Sequence, residues 1–359
     1  MRSIAVIGLG NVGSLVGTLL HESGFDVRGI DAAPRADLPF PCDSMNIEND
    51  AALSQALGQV DAVVSCLPYL LNLRVARAAH QVGVHYFDLT EDVPTAQEIR
   101  KLSATSRGVM APQCGLAPGY IGIVGAALAR GFDELRGIYL RVGALPQHPS
   151  GLLGYAFIWS PEGVVNEYLN DCEVIQDGKR KMVPAMEGLE TTVIHGIRLE
   201  AFTTSGGLGT MCETFEGRVR DLDYKTLRYR GHCELMRFFF HELRMEESRE
   251  EAGKILVRAK PPVNDDVVYV HAAVEGTKAG KLSRDEHVRA FYPREIAGKR
   301  WRAISWTTAA SVSGVIELVA RGELPERGFL KQEEIPLEKL LATRTGAFFA
   351  EETHARVGG

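Results

Sequence analysis

The run Gly8-Leu9-Gly10-Asn11-Val12-Gly13, with Asp31 eighteen positions beyond its last glycine, has the residue types and spacing to hold a dinucleotide. Gly8 permits a tight turn, Gly10 lets backbone approach a pyrophosphate, and Gly13 lets a following helix lie close on the preceding strand. Asn11 and Val12 would open that helix, whose unpaired N–H groups and positive dipole end attract phosphate oxygens. A carboxylate at Asp31 accepts hydrogen bonds from the two ribose hydroxyls and repels a 2′-phosphate, so NAD is expected over NADP. Arg35 follows closely enough to offer that phosphate a cation. The alternative is a glycine-rich turn that binds nothing, and the flanking strand and helix signals argue against it.

Other stretches carry groups able to move protons or hold charge. Asp88-Leu89-Thr90-Glu91-Asp92 places three carboxylates in five residues. Asp88 and Glu91 could hold an amino group or act as a base, or they could be the solvated acidic start of a helix, which is the reading favoured for Asp92. Gln113-Cys114-Gly115-Leu116-Ala117-Pro118-Gly119 offers Cys114 as a proton-transfer group, although a small buried thiol is the more common state of a free cysteine. Thr203-Thr204-Ser205-Gly206-Gly207 could close backbone and hydroxyls around a ligand, or form a hydroxyl-rich turn. In Tyr224 to His232, Arg228 and Arg230 could fork onto a carboxylate. His232 could carry a proton near neutral pH or serve as a structural hydrogen-bonding residue. No His/Cys/Asp spacing matches a metal site.

The elements that must position these groups read as strands and helices in alternation. Ser3 to Ile7 and Val27 to Ile30 are short buried strands around a helix that ends near Gly24. A loop with Pro34, Pro39 and Pro41 precedes a short strand at Ser44 to Ile47. Further strands are expected at Asp61 to Cys66, His85 to Leu89 and Val109 to Ala111, with helices at Ala51–Leu57, Asn72–Gln81 and Pro94–Ser106 between them. This alternation predicts an α/β fold of Rossmann type, a doubly wound parallel sheet. Ligands sit at the carboxyl ends of such strands, which assigns Cys66, Leu67 and Pro68 to the cofactor. Past Gly131 the strand candidates alternate apolar and polar residues, as in an antiparallel sheet with one covered face. They fall at Arg136–Val142, Thr192–Ile194, Leu199–Thr203 and Val267–Val274, with a hairpin turn at Asp177-Gly178. Helices are expected at Gly231–Leu243, Arg249–Val257 and Thr307–Ala320. The second domain is therefore α+β, built on a mainly antiparallel sheet. The expected boundaries are 1–120 with 305–350 for the dinucleotide-binding domain and 121–304 for the substrate and oligomerisation domain.

A chain of 359 residues is long enough for two sizeable cores. The formal net charge of −6 argues against a general affinity for nucleic acid or anionic membrane. No apolar run of membrane-spanning length stands out, and the chain enters its first strand without a signal peptide. The six cysteines are scattered without metal spacing, which fits reduced thiols in a cytoplasm.

Several stretches in order carry a resemblance: Gly8 to Gly13, Gly115 to Gly119, Arg141-Val142-Gly143-Ala144-Leu145-Pro146, Trp159-Ser160-Pro161, Leu199 to Phe202, and Thr226 to His232. Over about residues 1–330 the chain resembles the saccharopine dehydrogenase superfamily, and more closely its lysine 6-dehydrogenases. The resemblance implies NAD-linked oxidative deamination of an amino-acid amine, with L-lysine giving its 6-semialdehyde. It also implies a homo-oligomer, dimer or tetramer, and a Rossmann domain completed by the C-terminal segment. The expected substrate side comprises Thr90, Cys114, Arg141, Thr204, Arg228 and Arg230, and the expected proton-transfer groups are Asp88, Glu91 and His232. The chain departs from the lysine enzymes in its Thr90-Glu91-Asp92 run and in having Gln113 where they often have Asp. Other readings are a reductase of the same superfamily acting on a secondary amine, and a non-catalytic dinucleotide-binding regulator.

Overall fold

The computed structural model describes residues 1–33 and 35–351, so Pro34 of the expected loop lies outside the described residues. The chain divides into two compact units. One comprises Met1–Ile123 and the stretch from Ser305 to the end of the described residues; the other runs from Val124 to Ile304.

The first unit is built from β1 (Ser3–Ile7), α1 (Asn11–Glu22), β2 (Asp26–Asp31), β3 (Cys42–Ser44), α2 (Asp50–Leu57), β4 (Ala62–Ser65), α3 (Tyr69–Val82), β5 (His85–Asp88), α4 (Val93–Ser103) and β6 (Val109–Ala111). A short late strand, Gly328–Phe329, completes its sheet. The spatial order is that strand, β6, β5, β4, β1, β2, β3, and every pairing is parallel. Ile4 to Ile7 and all of β4 are buried, as continuous apolar runs in a sheet covered on both faces must be. Ala5, Ile7, Val63, Tyr86 and Met110 pack on Leu53 and Leu57 of α2 and Val75 and Ala79 of α3. Local signals end and start the helices: Asn49 accepts from Ala52 N at 3.1 Å before α2, and Gly83 closes α3 in the left-handed region. The strand after the Pro-rich loop begins earlier than Ser44, because Gly29 pairs with Cys42 and donates to the Pro41 carbonyl.

The helix α5 (Tyr120–Ala129) leads into the second unit. There β7 (Glu134–Pro146), α6 (Pro161–Leu169), β8 (Cys172–Gln176), β9 (Lys179–Val183), β10 (Glu190–Ile194), β11 (Ile197–Thr203), α7 (Met211–Phe215), β12 (Val219–Tyr229), α8 (His232–Arg237), α9 (Arg249–Ala259), β13 (Asp266–Lys278) and β14 (Lys281–Phe291) follow, then a ribbon of β15 (Arg294–Ile296) and β16 (Lys299–Trp301). The large sheet runs β10, β11, β12, β7, β13, β14, with β8 and β9 paired off β12. It is mainly antiparallel; the exception is the parallel pairing of β7 with β12, which a long intervening segment makes possible. Neither β12 nor β14 was expected as a strand. β14 is an edge strand of alternating charge, with Arg284 and Lys278 paired to Glu275, Glu286 and Asp285, so no apolar alternation marks it. The helix expected at Gly231–Leu243 is α8 continuing into a π-helical turn, Phe238–Glu242.

The helix Ala303–Ala320 corrects one expectation. It is long and apolar enough to cross a membrane by length and composition, yet 83% of it is buried inside the protein. Glu317, 4% exposed on this helix, accepts from Arg344 N and Thr345 N and pairs with Arg321, tying the C-terminal segment to the first unit.

Candidate active site

The turn after β1 has the form a dinucleotide requires. Gly8 lies at φ +89, and a Cβ at Gly13 would stand 1.8 Å from the Gly8 carbonyl oxygen, so only glycine allows α1 this close to the strand. A Cβ at Gly10, by contrast, would meet nothing within 4 Å. Bare backbone therefore faces open space where a pyrophosphate would lie, and no side chain caps α1 in its place. Asn11 and Val12 open α1, the carbonyl of Cys66 and the side chain of Leu67 flank Gly8, and Pro68 is the N-cap of α3. Asp31 ends β2 with its carboxylate turned back on this loop, accepting from Leu9 N at 2.6 Å and Ala33 N at 2.9 Å. Arg35 donates to Ser14 Oγ at 3.3 Å, but its charge is taken up by Asp37 at 2.5 Å. The residues present fit a nicotinamide dinucleotide.

At the carboxyl ends of β5 and β6 the acidic run separates into three roles. Asp88 is fully buried, and its carboxylate accepts from Tyr86 Oη at 2.7 Å and from the backbone N–H groups of Thr90 and Gln113, each at 2.9 Å. Burial pushes its carboxyl up to about 6, against the pull of those donors. With both oxygens engaged, Asp88 is a positioning residue and not the proton-transfer group expected of it. Asp92 caps α4, accepting from Thr95 N at 2.9 Å and Thr95 Oγ1 at 2.7 Å. Glu91 is left between them, half-buried, with its carboxyl pushed up to about 7 by burial and by the neighbouring Asp92 and Asp88. Thr90 is buried and its hydroxyl accepts from Asp92 N at 3.2 Å, so it shapes the turn.

Cys114 is sealed at 0% exposure, its sulfur against Ala111 O and the Gln332 amide, and burial raises its thiol far above the ordinary value. The expectation of a proton-transfer thiol gives way to a buried structural one. Cys66 is likewise pushed up to about 12 by burial and by Asp88. Gln113 sits between these residues at φ +67, a buried non-glycine residue in the left-handed region. No sequence signal marks that conformation.

In the second unit the expected clamp separates. Arg230 is exposed in the turn after β12, whereas Arg228 is 2% exposed within it. The hydrogen bonds of Arg228 all go to neutral oxygens: Tyr168 Oη at 2.7 Å, Leu227 O at 2.8 Å and Thr226 Oγ1. The Tyr155 ring lies against its guanidinium at 4.7 Å. Because Arg228 Nε donates to Tyr168, that hydroxyl gives its own proton to His232 Nε2 at 2.9 Å, and His232 Nδ1 donates to Leu153 O at 3.0 Å. Both imidazole nitrogens are committed, and burial with the Arg228 charge lowers the ring to about 3. His232 is thus a neutral positioning residue, not a proton carrier. Tyr168 and Tyr155 were missed by sequence reasoning. The Ser160-Pro161 start of α6, with Ser160 Oγ accepting from Gly163 N at 3.1 Å, is the signal that could have found the helix carrying Tyr168.

Arg141, expected on the substrate side, is instead spent on structure. It pairs with Glu190 at 2.6 Å and Asp223 at 2.5 Å, and Lys225 pairs with the same Glu190 at 2.6 Å. Thr204 is 2% exposed, and among the described residues its hydroxyl has no hydrogen-bond partner.

Residues 4–111 match the model of the saccharopine dehydrogenase NADP binding domain, and residues 115–345 match that of the saccharopine dehydrogenase C-terminal domain. The chain is similar to a saccharopine dehydrogenase [NADP(+), L-glutamate-forming] of Pyricularia oryzae, 25% identical over 337 residues that cover 84% of this chain and 71% of that protein. It is similar to the enzyme of the same name from Schizosaccharomyces pombe, 22% identical over 154 residues, 41% of this chain and 34% of the relative. The chain therefore spans about a third of the length of that relative. Its fold is that of apo saccharopine dehydrogenase (L-Glu forming) from Saccharomyces cerevisiae, with a TM-score of 0.74 at 16% identity over 95% of this chain and 97% of the other. With both domain models matched across most of its length, the chain belongs to the saccharopine dehydrogenase family.

Proposed function

We propose that this protein oxidises the side-chain amine of an amino acid with NAD, taking L-lysine to its 6-semialdehyde with release of ammonia. The observation that carries this reading is Glu91, a half-buried carboxyl near 7 at the carboxyl edge of the parallel sheet. A bound nicotinamide dinucleotide supplies the hydride acceptor. Hydride can leave the carbon only of a neutral amine, so the substrate ammonium must first lose a proton. Glu91 takes that proton, and Asp88 holds the turn that presents Glu91. Water then adds to the imine carbon and the C–N bond breaks, leaving the aldehyde and ammonia. In the second unit Arg228, a buried cation bonded only to neutral oxygens, supports the role of anchor for an α-carboxylate.

A second reading draws on the L-glutamate-forming relatives, in which the amine is secondary and the released fragment is glutamate. Turnover of a panel of diamines, basic amino acids and saccharopine, with NAD and NADP in parallel, tests the two. Ammonia released from lysine is expected; glutamate released from saccharopine, with lysine inert, would replace the first reading by the second.

Replacing Asp31 by Ser should lower kcat/KM for NAD and raise it for NADP, since the change removes a carboxylate that opposes the 2′-phosphate. Losing charge-assisted bonds of about 1.5–3 kcal/mol corresponds to roughly ten- to hundred-fold for NAD. A wild type equally fast with both cofactors would refute the assignment.

Glu91 must be ionised to accept a proton, so kcat/KM should rise with pH through about 7 and level off above it. Glu91→Gln should depress the plateau by roughly 10²–10⁴-fold and abolish that acid limb. An acid limb unchanged in the variant would place the base elsewhere.

Arg228→Lys keeps the charge but loses the planar fork, and it should raise KM for the amino acid by roughly ten- to hundred-fold. Tyr168→Phe removes the hydroxyl that aligns Arg228 and frees His232 Nε2. It should raise KM in the same direction with the pH profile unmoved; a displaced profile would mean that His232 takes part in proton transfer after all.

A further inference from the structure

The loop that follows β6 is held far more firmly than its length requires. Asp88 accepts Gln113 N on its carboxylate and Cys114 N on its carbonyl, each at 2.9 Å. From the distant C-terminal segment, Gln332 Nε2 donates to Pro112 O at 3.1 Å and to Cys114 Sγ at 3.2 Å. Between these fixed points Gln113 adopts φ +67, a conformation that a side chain with a Cβ resists and that persists only where the surroundings over-determine it. Asn is the amide residue that tolerates this region, so the longer Gln is not explained by the turn. Nor is it explained by local bonding. Gln113 is 4% exposed as a residue, and the hydrogen bond that fixes it within the loop is made by its backbone N–H to Asp88 and not by its carboxamide, which carries two donors and two acceptor lone pairs. The amide stands at the carboxyl edge of the sheet beside Asp88, where ligands of parallel sheets bind.

We infer that Gln113 contacts the substrate, its side-chain oxygen accepting a hydrogen bond from the reacting amine and so fixing which way the amine carbon faces. The inference rests on the amine-oxidising reading above and deepens it. A neutral amide suits the task because it orients an N–H without adding a third carboxylate to Asp88 and Glu91. A carboxylate at the same place would hold the amine as ammonium, opposing the deprotonation that must precede hydride loss.

Two substitutions in the full-length protein test this. Gln113→Asn keeps an amide and suits the backbone but withdraws it by one methylene; kcat/KM for the best amine should fall ten- to hundred-fold. Gln113→Glu keeps the size and adds charge; kcat should fall while KM for the amine also falls, and the acid limb should move to higher pH. NADH binding, read by fluorescence titration, should match wild type in both. Wild-type kinetics and pH profiles in the two variants would overturn the inference alone. Loss of NADH binding together with turnover would overturn it too, by making Gln113 a structural residue. A wild type inert toward every amine would instead refute the functional reading, and this inference with it.

Discussion

Burying the Asp88 carboxylate is the constraint from which the rest of the first unit's edge follows. Taking an ionised carboxylate out of water costs several kcal/mol unless its lone pairs find donors. Among the described residues no cation supplies them; a tyrosine hydroxyl and two backbone N–H groups do. Each of those N–H groups belongs to a different strand end, so satisfying one carboxylate fixes the turns after β5 and β6 together. The same burial acts on its neighbours. It drives the thiols of Cys66 and Cys114 away from thiolate and leaves Glu91, with partial access to solvent, titrating near neutrality. Each group's own burial, with the Asp88 charge as a smaller addition, thus sets which of them can exchange a proton.

A comparable division of labour separates the buried arginines of the second unit. Arg141 has two carboxylates and a lysine in its network, so its charge is spent on holding β7, β10 and β12 in register. Arg228, three residues along β12 from Lys225, has hydroxyls, a carbonyl and an aromatic face instead. These partners orient a guanidinium through neutral oxygens and an aromatic face, while the Glu167 carboxylate acts on its charge from nearby.

Nothing in the types or spacing of Arg141, Arg228 and Arg230 distinguishes their roles, because the deciding partners come from strands distant in sequence. The same holds for Gln113, whose strained backbone depends on Asp88 and on Gln332 from the far end of the chain. What could be read directly was local: the glycine run, whose function lies in backbone freedom, and the buried strands of the parallel sheet, whose continuous apolar runs need no partner to be recognised. Asp92 at a helix start was legible for that reason; that its side chain caps the helix through Thr95, three residues away, came from the structure. β14 was illegible because this edge strand carries cross-strand charge pairs, Arg284 with Glu275 and Asp285 with Lys278, and these look like solvated surface until their partners are known.

Asp31 shows how a local residue can do two jobs and why that bears on the cofactor. Its carboxylate already holds the Leu9 and Ala33 N–H groups, so it shapes the turn whether or not a ligand is present. Each oxygen retains lone-pair capacity for a ribose hydroxyl. A 2′-phosphate brought to the same place would add close to two negative charges beside a carboxylate. At about 5 Å and an effective dielectric near 20, that is roughly 3 kcal/mol of repulsion per unit charge. Arg35 offers little relief, because Asp37 neutralises it. The model matched by residues 4–111 is that of an NADP binding domain, and it covers the turn and the strand that carry Leu9 and Asp31.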